Sequence, residues 1–70
     1  MTITFNGQIV EAGAQSGLGL QTFLEDRGLK IDRIAVEYNG EIVPRSRWQE
    51  VTLKVGDRLE VVHFVGGGYR

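Results

Sequence analysis

Two Asn-Gly dipeptides, Asn6-Gly7 and Asn39-Gly40, do most to restrict the folds open to this chain. Asn-Gly favours a two-residue hairpin turn because both positions accept positive φ. Residues 2–5 alternate polar and apolar before the first pair, and residues 8–12 read as the returning strand. Residues 34–38 and 41–43 flank the second pair in the same way, and Pro44, which has no backbone donor, ends that pairing or marks an edge. The sequence therefore predicts two β-hairpins.

Residues 13–17 form a polar connection from the first hairpin to a short helix. Leu20, Phe23 and Leu24 stand at i, i+3 and i+4, on one helical face. Gly19 is a weak N-cap, Gly28 is placed to end the helix in a left-handed conformation, and Leu29 folds back over its last turn. Further on, residues 45–50 read as a turn or a single helical turn that folds Trp48 onto the core. Residues 51–53 are a short extended segment, 55–57 a turn, and 58–65 the last strand. Two hairpins with a helix between them imply an α+β domain whose mixed sheet carries the helix on one face. The last strand buries most apolar surface beside the first strand and parallel to it, which is the β-grasp architecture.

The chain has 70 residues, so it makes one domain, assigned to residues 1–65, followed by a flexible glycine-rich tail at 66–70. It has no cysteine, so its core must come from packed apolar side chains alone. The net charge is −1 and the basic residues are scattered, which argues against nucleic acid as a partner. No apolar run approaches the roughly 20 residues needed to cross a bilayer. Met1-Thr2-Ile3-Thr4-Phe5 shows no signal core, and the expected location is the cytoplasm.

The end of the sequence, Gly66-Gly67-Gly68-Tyr69-Arg70, carries most information about function. Glycine enters narrow channels and approaches another backbone closely. A tail of this kind can carry its own end group into a partner's active site; the bland alternative is simple fraying. A phosphate-cradling loop would need a following helix, and only two residues remain.

Other candidates are weaker. His63 is the only histidine and has no evident nucleophile beside it. Glu25-Asp26 occupies adjacent helix positions that point in different directions. No metal-ligand spacing is visible. In the last strand Leu59, Val61, His63 and Val65 point one way and Val62 and Phe64 the other. A helix covers only one face of such a sheet, so Val62 and Phe64 are expected in an exposed apolar patch. Val62, Phe64, Val65 and Arg45 are the candidate partner-binding residues, with Arg47 near Arg45.

Three blocks, Asn39-Gly40-Glu41-Ile42-Val43-Pro44-Arg45, Gly56-Asp57-Arg58-Leu59-Glu60 and Phe64-Val65-Gly66-Gly67-Gly68, resemble the ThiS family of thiamine-biosynthesis sulfur carriers, in the ubiquitin-like MoaD/ThiS superfamily. The first block is the most specific. The resemblance implies a carrier that is a protein co-substrate, not an enzyme, and binds no cofactor. A ThiF-type adenylyltransferase uses ATP to adenylate the terminal glycine carboxylate. A sulfur donor, fed by a cysteine desulfurase, turns the adenylate into a thiocarboxylate, and a ThiG-type thiazole synthase takes the sulfur. The resemblance places the reacting carboxylate on Gly68, or alternatively on Gly67. Family members end on the glycine, so Tyr69-Arg70 implies a peptidase that cuts after Gly68. Rival readings are a carrier for molybdopterin, cysteine or tRNA thiolation, a ubiquitin-like modifier, and an interaction domain with an inert tail.

Overall fold

The computed structural model describes residues 1–13 and 17–63. Five strands form the main sheet: β1 (Thr2–Phe5), β2 (Gln8–Glu11), β4 (Ile34–Tyr38), β5 (Glu41–Val43) and β7 (Arg58–His63), in the order β2-β1-β7-β4-β5. β1 and β7 run parallel; the other neighbours are antiparallel. The helix α1 (Leu20–Asp26) crosses one face. The last strand is thus central and parallel to the first, as expected.

Both hairpins turn on their Asn-Gly pairs, with φ of 50° and 82° at Asn6 and Gly7 and 50° and 91° at Asn39 and Gly40. Positive φ at both central positions gives a turn whose twist matches that of the strands it joins. α1 has only seven residues, too few to persist alone. Burial of Leu20, Phe23 and Leu24 holds it against the sheet. Its end is a Schellman motif: Gly28, at φ 77°, donates to the Glu25 carbonyl (2.9 Å), and Leu29 donates to that of Leu24 (3.2 Å).

A second, two-residue ladder was not evident from the sequence pattern. β3 (Leu18–Gly19) pairs with β6 (Thr52–Leu53), and Leu20 N–H donates to the Val51 carbonyl at 2.9 Å. It ties the start of α1 to the segment before β7. A 3₁₀ helix at Arg45–Glu50 lays Trp48 into the core, where it is 1% exposed and its indole N–H donates to the Val43 carbonyl at 2.8 Å. At the other end of α1, Phe5 and Phe23 meet edge to face, centroids 5.6 Å apart, and the Arg27 guanidinium lies 4.8 Å and 5.3 Å from the two ring centres.

Asp57 stands before β7 and is 6% exposed. Its carboxylate accepts from the Tyr38 hydroxyl (2.6 Å), the Asn39 amide (3.2 Å) and the Lys54 N–H (2.7 Å). Burial pushes this carboxyl up, but the donors together outweigh it and hold it below the usual carboxylate range. Burial, then the bond to Asp57, pushes the Tyr38 phenol up, with Lys54 opposing. A depressed folded pKa contributes stability above the unfolded value, and that stability is lost as pH falls through the folded value. Asp57→Asn is therefore expected to cost about 2 kcal/mol at neutral pH. Urea denaturation should show the gap from wild type narrowing as pH falls below the ordinary carboxylate range and closing only once it passes the depressed folded value, where the wild-type carboxyl is itself neutral.

Candidate functional site

Alternation along the strands divides the main sheet into a covered and an open face. Ile3, Ile34, Val36, Leu59 and Val61 are buried on the face toward α1. The registers put Thr4, Ile9, Ala35, Glu37, Ile42, Arg58, Glu60 and Val62 on the other face. Val62 is 62% exposed, Ile42 69% and Ile9 79%. Val62 thus stands where the alternation of the last strand places it, on the uncovered side and opposite Ala35 in β4.

Beside Val62 lies a pair of like charges. Glu37 and Glu60 are directly opposite each other in β4 and β7, with Ile42 next to Glu37 in β5. Like charges in register weaken a sheet, and among the described residues neither is in an ion pair. The open face near the exit of β7 is therefore apolar around an acidic centre.

His63 follows the parity of Leu59 and Val61 but is exposed at the strand end, beyond the core. Arg45 is exposed at the start of the 3₁₀ helix, while Arg47 is bridged to Glu50 at 3.4 Å. Arg47 belongs to a shallow groove beside β5 that Tyr38, Val43, Pro44 and Val51 also line. Glu25 and Asp26 are exposed on α1. Among the described residues no group of three or more His, Cys, Asp or Glu is placed to hold a metal, and no helix is long and apolar enough to cross a membrane. Phe64, Val65 and the glycines Gly66, Gly67 and Gly68 lie outside the described residues.

Two side chains that hold β7 escaped sequence reasoning, which used Asn6 and Asn39 only for their turn conformation. Both reach β7. Asn39 Oδ1 accepts from the Arg58 N–H (2.7 Å) at the strand's start. Asn6 Oδ1 accepts from the Val61 N–H (2.6 Å), and its Nδ2 donates to the Val61 carbonyl (3.3 Å), near the strand's end. The available signal was asparagine at the first turn position of both hairpins, where glycine would satisfy the backbone equally well.

A glycine-rich segment following the central strand of a helix-covered mixed sheet defines the β-grasp carrier class. The ThiS family pattern matches residues 3–68, and the chain belongs to the ThiS family. It is 38% identical over 66 residues to the Bacillus subtilis sulfur carrier protein ThiS, covering 94% of this chain and 98% of that one. It is 37% identical over 68 residues to a thiazole synthase of Paramagnetospirillum magneticum, covering 97% of this chain but only 20% of the synthase. The crystal structure of the thiamine biosynthesis protein ThiS from Geobacter metallireducens superposes with a TM-score of 0.84 at 30% identity, covering 97% of this chain and all of that one.

Proposed function

We propose that this chain is a sulfur carrier for thiazole formation in thiamine biosynthesis, with its working group at the carboxyl of Gly68. The observation that carries the reading is the family match over residues 3–68, whose last residue is Gly68. The name of the B. subtilis relative supports sulfur carriage, and the synthase relatives support thiazole synthase as the receiver. The chain itself acts as a protein co-substrate, in the cytoplasm, and binds no cofactor.

The chemistry follows from the group. A carboxylate with a pKa of roughly 3.5 is ionised at neutral pH and is a poor electrophile. A ThiF-type enzyme transfers AMP from ATP to the Gly68 carboxylate and releases pyrophosphate. A donor persulfide then attacks the acyl carbon and displaces AMP to give an acyl disulfide, and a thiol cleaves that S–S bond, becoming a disulfide with the donor sulfur and leaving the thiocarboxylate. Gly67 and Gly68 carry no side chain to hinder approach to that carbonyl. In the given sequence the Gly68 carboxyl is joined to Tyr69, so a peptidase must first hydrolyse that bond. Cleavage after Gly67 is the alternative.

The test is ATP–pyrophosphate exchange by the partner adenylyltransferase. A chain ending on Gly68 is expected to support exchange, and one ending on Arg70 is not. Equal behaviour of the two would sink the reading.

In this reading the partners dock on the open face through Val62, and Phe64, Val65 and the charged Arg45 are further partner contacts. Val62→Asp adds a charge at a position that is 62% exposed, so thermal unfolding should move little. Affinity for thiazole synthase, measured by calorimetry, should fall about tenfold, the scale of losing one central contact. Unchanged affinity would remove Val62 from the interface.

A further inference from the structure

We infer that Asn6 is a positioning residue for chemistry at the tail, an inference that rests on the carrier reading above. β1 ends before β7 does. The parallel ladder pairs Thr4 with Arg58 and Phe5 with Leu59, and the first hairpin then turns away. Asn6 N–H still donates to the Leu59 carbonyl at 2.8 Å. The next donor along β7 is the Val61 N–H. In a continuing parallel strand it would meet the backbone carbonyl of residue 6. Here the Oδ1 of Asn6 takes that place at 2.6 Å, and Nδ2 also reaches the Val61 carbonyl at 3.3 Å. One side chain thus replaces the missing length of β1.

Val61 is held on both sides as a result, by Val36 of β4 in register and by Asn6. Turn geometry alone does not require this, because glycine adopts positive φ without strain. The clamp fixes β7 on its β1 side at Val61, and so the direction from which Gly68 is presented to a partner. With β4 still paired along residues 61–63, the loss is one of fixed direction on the β1 side, and the expected drop in turnover is about fivefold.

Three variants separate the clamp from the turn. Asn6→Gly keeps the turn and removes the clamp. Asn6→Asp keeps the acceptor for the Val61 N–H and loses the donor. Asn39→Gly makes the same turn change in the other hairpin and frees the opposite end of β7. Each is prepared ending on Gly68 and assayed for ATP–pyrophosphate exchange with the partner adenylyltransferase, alongside amide hydrogen exchange at Val61. For Asn6→Gly, kcat is expected to fall about fivefold with KM within twofold, and the Val61 amide to exchange faster. Asn6→Asp should lie between it and wild type, while Asn39→Gly loses stability but keeps kcat. Equal loss of kcat in Asn6→Gly and Asn39→Gly, or none in Asn6→Gly, overturns the inference. A wild-type chain that supports no exchange overturns the carrier reading itself, and the inference with it.

Discussion

A chain that ends at position 68 and carries Gly67→Val and Gly68→Val is expected to be thiolated at about one hundredth of the rate of the chain ending on Gly68, with no change in thermal unfolding. The first half follows from the chemistry at Gly68. A β-branched side chain beside the attacked carbonyl hinders approach and stiffens the backbone that must reach it. Misplacing a reacting group by about 1 Å can cost on the order of a hundredfold in rate. The second half follows from the fold. Among the described residues the core is a buried cluster that includes Ile3, Leu20, Leu24, Val36, Trp48, Leu53 and Leu59, and the two substitutions leave all of these side chains in place. Mass spectrometry of the thiolation reaction reads the first half and calorimetry the second. Normal thiolation of the double variant would mean that the glycines have no role in delivery.

The largest loss of stability is expected at Trp48. Its side chain is 1% exposed and among the largest fully buried in the core, and its indole N–H reaches the Val43 carbonyl. Trp48→Ala removes that volume and that donor together and should cost about 3–5 kcal/mol. A chain of 70 residues has a total stability of only about 3.5–10 kcal/mol at typical values per residue. The variant should therefore be largely unfolded or close to it, as judged by near-ultraviolet dichroism and urea titration. Trp48→Phe should retain the fold with a smaller loss, because most of the cavity stays filled. Measured stability within 1 kcal/mol of wild type for the alanine variant would mean that the site collapses around the smaller side chain.

Trp48 also marks how far the fold was legible in the sequence. Asn-Gly located both hairpins because positive φ at two adjacent positions suits few other pairs. The spacing of Leu20, Phe23 and Leu24 located α1, and Gly28 marked its end. Trp48 was expected on the core because a large apolar side chain in a chain this short has few other places to go. The ladder between Leu18–Gly19 and Thr52–Leu53 could not be read, since two residues carry no period. Asp57 was read as part of a turn and of a block shared with the ThiS family; its bonds to Tyr38 and Asn39, which are distant in sequence and brought to it by the β4–β7 pairing, were not. The Asn6 clamp was hidden for the same reason, since Val61 is 55 residues away. The exposed face containing Val62 followed from alternation along β7, whereas the acidic pair Glu37–Glu60 required the register between strands.

The central claim is that sulfur is carried on the carboxyl of Gly68. Its most direct test is the intact mass of the protein purified untagged from its native host under thiamine limitation. The account predicts a chain that ends on Gly68, with sulfur in place of one carboxyl oxygen in part of the population. A chain that runs through Tyr69 and Arg70 with no sulfur, recovered from cells that are making thiazole, would contradict it.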